Sequence, residues 1–435
     1  MSYLKKFTIC GLFTAGLYVI FFIQTPLFNN FGKYGFHLRE NYLYLKTFFI
    51  LTLLFALYII NFRYISEGKI GIKNILYFAI FFNLILIPVW PFASSDLFTY
   101  IFQARILSKY QLSPYLFTYV NFPQDAFFWA LKNRYIYTTS VYGPIFILVS
   151  TLLTYLGGDN LFLTIYLFKI LFLFVNVFNS VLIFKITKSE IATFLYSWNP
   201  LVLFEFGVNS HNEVIMISFV LLSFLFLFKK TNVINYILSI IFYLFSILTK
   251  YITLVILPFY FFYYANEFSK QGKLLKYLST FVVIGLVMFI FIYLIQPYWF
   301  EVFIKIFKPF HYQGVMFTSS LGIIVISFTL FLFGVGNYYG WGLVLSKFLF
   351  FIICFFLFAK ILMKKDLKTR GRLLDYSVLV IGIFLLMYFD WWFSWYLTTF
   401  IALLSLYIGV VKKFQYRLYI YLTTFYGIIF YLLYK

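Results

Sequence analysis

Long apolar runs recur along almost the whole 435-residue chain and restrict what it can fold into. A helix needs about 20 predominantly apolar residues to cross a bilayer, and roughly a dozen runs approach that length. None shows the ten-residue alternation typical of an outer-membrane barrel. Charged residues make up 11% of the chain, whereas a soluble domain has roughly a quarter. The sequence therefore predicts an all-α protein that crosses a membrane many times.

Basic residues between the runs set the expected orientation. The first run, 7–28, follows Lys5 and Lys6; we interpret it as a span because it is long for a signal peptide and no cleavage site follows. Positive loops usually stay on the cytoplasmic side, which places the N-terminus inside. We expect one polytopic unit over residues 1–435, with about 13 full spans. The net charge of +21 is then explained by cytoplasmic loops, with membrane lipids and no nucleic acid as partners.

Two shorter apolar runs are predicted not to cross the membrane: 141–156 as a partial or interfacial helix, and 321–333 as a half-span. If 141–156 crossed, the lysines that follow the next run would lie outside, against the positive-inside bias. This partial helix should begin at Pro144, which suits a first helical turn, and end outside at 157–160. The basic cluster at 360–372 makes 321–333 a half-span by the same argument.

The apolar run 76–90 is followed by residues 92–160, a more polar and broken stretch that includes the short helix predicted at 141–156. The first acid of this stretch is Asp96. Only 13 of the 435 residues are Asp or Glu, so a carboxylate at the end of a span suggests a function. We expect an external loop with interfacial helices, in which Asp96 and Arg105 lie on opposite sides of one helix. A helix N-cap, worth about 1 kcal/mol, is the structural alternative for Asp96.

Other polar residues should reach the same outer face. His211 and Glu213 could hold a general base or a metal ion, but a zinc site needs three or four ligands, and a polar hairpin tip has the same composition. Lys250 is flanked by apolar sequence, so it either snorkels or binds a phosphate as a point charge. Trp395 and Tyr396 suit a sugar platform or an interfacial aromatic belt.

Taken together, five stretches resemble the polyprenol-phosphate-sugar-dependent membrane glycosyltransferases of the GT-C superfamily. The resemblance is closest to the bacterial and archaeal polyprenyl-phosphate-mannose-dependent mannosyltransferases. The matching stretches, in family order, are SSDLFTYIFQARILSKYQLSPY (94–115), YGP (142–144), WNPLVLFEFGVNSHNE (198–213), LTKYITLVILP (248–258) and WFSWYL (392–397). Each stretch alone is short, and the specificity comes from their joint presence in that order.

The resemblance implies a GT-C-like helical bundle in which Asp96 is the catalytic base and Glu213 is a second acid across the active site. Lys250 would contact the lipid-linked phosphate. Further substrate contacts are expected within or beside the matching stretches, from Arg105, Tyr115, Tyr142, Asn209, His211, Asn212, Trp395 and Tyr396. The family often has Asp at the position of Glu213, which leaves metal dependence open: a divalent metal ion is possible but not required, and no other cofactor is implied.

The implied enzyme is an inverting hexosyltransferase of the cytoplasmic membrane, with its active site facing outside. It would move a sugar, mannose by resemblance, from a polyprenyl-phosphate-linked donor to a glycan, lipid or protein acceptor. The alternative is a multi-span transporter or flippase, which would carry ionisable groups near the bilayer midplane in repeated broken helices. Here the charged residues cluster at the ends of the runs, apart from Lys169 and Lys347, and no repeat is visible. The enzyme hypothesis requires Asp96 to lie close to the His211 turn and to Lys250.

Overall fold

The structure is a computed structural model that describes residues 2–25, 41–68, 70–128, 134–229, 232–270, 272–299, 319–364, 367, 369–390 and 392–433. Within these ranges the chain forms α-helices joined by short 3-10 and π segments, and no strand is present in them. The prediction of an all-α fold is confirmed. The helices are α1 (Tyr3–Gln24), α2 (Asn41–Gly68), α3 (Ile72–Leu86), α4 (Asp96–Ser108), α5 (Pro144–Gly157), α6 (Leu161–Thr187), α7 (Glu190–Ser197), α8 (Pro200–Leu203), α9 (Glu213–Phe228), α10 (Val233–Thr249), α11 (Leu257–Ser269), α12 (Leu274–Ile295), α13 (Leu321–Leu332), α14 (Tyr338–Lys364), α15 (Arg370–Met387), α16 (Leu397–Val411) and α17 (Arg417–Leu433).

The number of helices that are long enough to cross a bilayer is smaller than predicted. In the described ranges, six helices combine the necessary length and hydropathy, and a seventh span is possible if the bent pair Glu190–Ser197 and Pro200–Val208 counts as one. The expected 13 spans are therefore not confirmed. Several apolar runs instead form helices of 10–17 residues, among them α3, α9 and α10. The length of an apolar run in the sequence does not predict the length of the helix, because the helix can end before the run does.

The two predicted half-spans are short helices. Helix α5 has 14 residues and carries Pro144 in its first turn, and α13 has 12 residues. Both are shorter than the roughly 20 residues that a full crossing needs. Which side of the membrane each one faces stays a prediction.

Helix α4 differs from the expected interfacial helix because protein surrounds it. All ten residues from 97 to 106 are buried, and α4 packs against α5 and α6. A helix that is covered on every side needs no amphipathic pattern. The first acid of the 92–160 stretch is therefore presented by a rigid, packed element.

Helix ends near α4 are tied together through the backbone. The Thr25 carbonyl, just after α1, accepts a 2.8 Å hydrogen bond from the Trp90 amide. Deeper in the bundle, the Trp198 indole donates to the Ile75 carbonyl at 3.0 Å, and its ring packs against Phe7 and Phe82. Close packing of this kind holds helices together where lipid supplies no hydrophobic drive. The Trp198 contacts therefore pack α1, α3 and the end of α7 against one another.

Candidate active site

Asp96 is the first residue of α4. Its amide donates a 3.2 Å hydrogen bond to the Ser94 hydroxyl, and the carboxylate lies in the first helical turn. The positive end of the helix dipole favours an anion at this position. The side chain keeps 17% of its exposure, so it borders the interior and is still accessible to a substrate.

An irregular segment carries the second group of polar residues. The short helix α8 runs into a π-turn, Phe204–Val208, which the Asn209 amide closes by donating to the Phe204 carbonyl at 3.1 Å. Single π-turns within helices are often found at functional sites. The buried Lys169 ammonium, from α6, donates to the Gly207 and Val208 carbonyls at 2.8 and 3.1 Å. Lys169 therefore anchors this turn from within an apolar helix.

Ser210 bends the chain out of the π-turn and into α9. Its φ of 60° lies in the left-handed region, which residues other than glycine rarely adopt. The bend directs the next side chain, His211, toward α4. A strained backbone at a buried polar turn is frequently part of a functional site.

His211 lies between two carboxylates. Its Nδ1 is 3.4 Å from Asp96 Oδ2, and its Nε2 is 3.4 Å from Glu205 Oε2. The Trp395 ring stacks on the imidazole with a centroid distance of 4.0 Å. His211 and Glu205 are fully buried. The structure thus places Asp96, His211 and Trp395 together, although they come from three distant parts of the chain.

Lys250 closes the site from the end of α10. Its ammonium hydrogen-bonds to the Glu213 carboxylate and lies 3.2 Å from Asn212 Oδ1. The Tyr396 ring lies 5.1 Å from the ammonium, within cation–π range. Glu213 is in the first turn of α9. Both acids of the predicted pair therefore start a helix, and Lys250 binds one of them.

Opposing influences act on the Asp96 carboxyl. Burial raises its pKa, but the His211 ring and the Lys250 ammonium lower it by more, so the pKa lies below its usual range. Asp96 is therefore ionised at neutral pH and able to accept a proton. Contacts through neighbouring residues connect the two groups, since the Lys250 ammonium lies 3.2 Å from Asn212 and the adjacent His211 lies 3.4 Å from Asp96.

Tyr142 and Tyr115 support the pocket wall. The Tyr115 hydroxyl donates to the Tyr142 carbonyl at 3.0 Å. The Tyr142 ring meets Tyr100 edge to face at 4.9 Å, and the Tyr100 hydroxyl lies 3.4 Å from Asn212 Oδ1. The contacts of the two predicted tyrosines connect the loop before α5 to the turn before α9.

Gly143 explains why the Tyr-Gly-Pro segment needs its glycine. The Gly143 amide donates to the Thr249 carbonyl at 3.2 Å, and a Cβ at this position would collide with the Leu248 carbonyl. Only glycine permits this approach. The loop before α5 therefore packs directly against the backbone that presents Lys250.

Arg105 lies apart from this group and is already paired. It is 2% exposed and binds the buried Asp125 at 2.9 Å, and it also contacts Asp159 and the Gly158 carbonyl at 2.7 Å. Hydrogen bonds from Lys109 and Arg105 lower the pKa of Asp159 to about 2. These contacts tie α4 to the turn after α5. A substrate contact of Arg105 stays a prediction.

Glu205 is the principal site residue that sequence reasoning missed. It accepts hydrogen bonds from Asn209 at 2.9 Å, Ser394 at 2.6 Å and Tyr431 at 2.5 Å. Asn209, which was predicted to contact the substrate, therefore donates a hydrogen bond to Glu205 in the structure. A signal was present, because an acid inside an apolar run is costly unless it is bound by partners. Tyr431, in the last helix, carried no such signal.

Several buried polar atoms point to the ligand chemistry of the pocket. Among the described residues, no hydrogen-bond partner is present for Asn212 Nδ2, Glu213 Oε2 or Trp395 Nε1. Buried polar groups are normally satisfied. Donors and acceptors of this kind suit the hydroxyl groups of a sugar.

The described ranges contain no cluster suited to a metal ion: no group of three or more His, Cys, Asp or Glu side chains is arranged to hold one there.

A separate groove of about 670 Å³ lies between α1 and α2 and is lined by apolar residues such as Leu12 and Leu53. It shares no residue with the Asp96 pocket.

Comparison with known proteins identifies the class of this chain. A family model described as "Alpha-(1->6)-mannopyranosyltransferase, N-terminal domain" matches residues 29–266, more than half of the chain. The protein is therefore a hexosyltransferase, and its apolar helices make it integral to a membrane. It belongs to the MptA_B family of alpha-(1->6)-mannopyranosyltransferases. No curated protein and no solved structure matches the chain.

The family confirms the resemblance to polyprenol-linked mannosyltransferases of the GT-C superfamily. The matched range contains Asp96, Glu205, His211, Glu213 and Lys250. The aromatic wall formed by Trp395 and Tyr396, and the Tyr431 contact to Glu205, come from beyond that range.

Proposed function

We propose that this protein transfers mannose, with inversion, from a polyprenyl-phosphate-linked donor to a glycan, lipid or protein acceptor. The convergence of Asp96, the His211–Glu213 turn and Lys250 in one pocket carries the proposal. The donor keeps its prenyl tail in the bilayer and presents its sugar at the headgroup level. A polar pocket that membrane helices enclose suits such a substrate.

The chemistry follows from the positions of these groups. The acceptor oxygen attacks the anomeric carbon, its O–H proton passes to the Asp96 carboxylate, and the bond between that carbon and the phosphate oxygen breaks. Negative charge grows on the departing phosphate, where a preorganised ammonium, Lys250, stabilises it. One displacement inverts the anomeric centre, so a β-linked donor yields an α-linked product.

The ion pair between Lys250 and Glu213 has a role in this cycle. Before the donor binds, Glu213 neutralises the buried ammonium, which would otherwise be costly. The donor phosphate then replaces Glu213 as the partner of Lys250. Freed from the pair, Glu213 can accept hydrogen bonds from sugar hydroxyl groups.

The transporter alternative receives less support. Its expected mark is a set of ionisable groups near the midplane. Lys169, the buried lysine within α6, is satisfied by backbone carbonyls, which makes it part of the scaffold of the π-turn. The family match also concerns transfer of mannose.

The donor can be tested with the purified, detergent-solubilised full chain. Radiolabelled mannose is supplied either as polyprenyl-phosphate-mannose or as a nucleotide-linked sugar, each with a short α-mannoside acceptor. We expect transfer only from the lipid-linked donor, and the product should be cleaved by an α-mannosidase. Transfer from the nucleotide sugar alone, or a β-linked product, would refute the proposal.

The orientation is also a proposal: we infer that the pocket faces outward from the cytoplasmic membrane. Asn160 and Lys188 flank the two ends of α6, a candidate span of 27 residues, so they lie on opposite sides. In intact cells, a membrane-impermeant maleimide should label Asn160→Cys, whereas Lys188→Cys should react only after permeabilisation. The unmodified chain, with Cys10 and Cys354 within helices, gives the background. The opposite labelling pattern would place the pocket inside.

A further inference from the structure

His211 occupies a position that the proposed chemistry does not yet use. Each ring nitrogen faces a carboxylate at 3.4 Å, Asp96 on one side and Glu205 on the other. Both distances are somewhat long for hydrogen bonds, as is common in catalytic sites without a substrate. Neither nitrogen has another hydrogen-bond partner among the described residues.

Glu205 is held where a substrate cannot reach it. Its side chain is fully buried, and hydrogen bonds from Asn209, Ser394 and Tyr431 hold both of its oxygens. A carboxylate in such a setting can act only on the side chains that contact it. One of these is His211, whose Nε2 lies 3.4 Å from Glu205 Oε2.

We propose that His211 receives the proton that Asp96 removes from the acceptor, and that Glu205 is a positioning residue that orients the imidazole and balances its charge. The inference rests on the proposed function, since it takes Asp96 as the base. Glu205 is a buried acid next to a histidine. In the catalytic triads of hydrolases, an acid in this position orients the imidazole ring and stabilises the imidazolium.

The relay balances in atoms and charge. After transfer, Asp96 carries the acceptor proton and the prenyl phosphate has departed with the bonding electron pair. The Asp96 O–H bond then breaks and an Nδ1–H bond forms on His211, which restores the carboxylate. The productive state therefore has no hydrogen on Nδ1 and has the Nε2 hydrogen directed at Glu205. The imidazolium later loses its proton to water or to the leaving phosphate.

The electrostatic surroundings of His211 favour this step. Asp96 approaches from α4, Glu205 from the π-turn, and the Trp395 ring covers one face. Beyond these, Tyr431 bonds to Glu205, and Lys250 acts on Asp96. An imidazolium with an anion on each side is stabilised by both.

A relay also returns Asp96 to its ionised form after each transfer. Asp96 must lose the acceptor proton before it can act again, and the unprotonated Nδ1 of His211, 3.4 Å away, is a nearby group that can take it. Asp96 then acts at the reacting oxygen, and His211 stores the proton.

The test is the pH dependence of mannosyl transfer in the wild type, His211→Gln and Glu205→Gln. In the wild type, kcat/KM should fall at low pH as His211 becomes protonated in advance. Glu205→Gln, which preserves the shape of the side chain, should shift this acid limb to lower pH by about 1 to 3 pH units, because an adjacent anion is lost. His211→Gln should abolish the limb that His211 causes, leaving only a fall at lower pH where Asp96 itself becomes protonated, and should lower kcat by about 10²-fold with little change in donor KM.

Glu267→Gln serves as the control, because Glu267, near the end of α11, forms an ion pair with the exposed Lys270 away from the proposed site. It should retain the wild-type profile. An acid limb that stays at its wild-type pH in either Glu205→Gln or His211→Gln would overturn the relay. If His211→Gln does not fold, the Glu205→Gln profile still decides. Activity that survives replacement of Asp96 would instead overturn the proposed function itself.

Discussion

Replacement of Asp96 by Asn should lower kcat for mannosyl transfer by about 10²- to 10⁴-fold, the range of a general base. The amide keeps the size of the side chain but cannot accept the acceptor proton. Donor KM should change little, because the cation proposed to bind the donor phosphate is Lys250, which follows α10, rather than a group on α4. Initial rates with polyprenyl-phosphate-mannose, measured on equal amounts of folded protein, give both quantities.

Asp375→Asn is the matched control for this change. Asp375 forms an exposed ion pair with Arg372 at 3.4 Å in the first turns of α15, a contact of little energetic value. Its rate should equal that of the wild type. An Asp96→Asn enzyme that works as fast as this control would remove Asp96 from the mechanism.

Replacement of Lys250 by Met should lower kcat/KM by about 10²- to 10³-fold. This is the usual effect of removing one preorganised group that stabilises charge in the transition state. The methionine retains much of the apolar stem but leaves no cation for the departing phosphate. Both kcat and donor affinity should fall, whereas in Asp96→Asn only kcat should fall. Competition by a short-chain prenyl phosphate measures the affinity directly.

The same substitution leaves the buried Glu213 without its partner, which by itself destabilises the protein. The double variant Lys250→Met with Glu213→Gln separates the two effects, because the stranded charge is removed. We expect the double variant to regain thermal stability but not transfer activity. If activity also returned, Lys250 would be only a structural partner of Glu213.

The sequence predicted part of this pocket because its residues stand out against an apolar background. Asp96, His211 and Lys250 each interrupt long hydrophobic stretches, and the family motifs link them. Their meeting point, with His211 3.4 Å from Asp96, required the structure. The partners of Arg105 could not be predicted, since Asp125 and Asp159 approach it from separate turns.

Two features were not predicted from the sequence, for physical reasons. Hydropathy counts apolar residues but does not register where a helix breaks, so the bent segment from α7 to the π-turn and the short helices α9 and α10 were counted as spans. Glu205 was overlooked because its stabilising partners, Ser394 and Tyr431, are far away in the chain. A buried acid is explained only by what surrounds it.

The bond from Tyr431 to Glu205 has a consequence for biogenesis. Helices enter the bilayer in order during synthesis, so Asp96, Glu205 and His211 are inserted well before α17 emerges from the ribosome. Until α17 docks, Glu205 lacks one of its hydrogen-bond donors and His211 lacks a fixed neighbour. We therefore expect Glu205 to take up its final position only once α17 has packed against the π-turn.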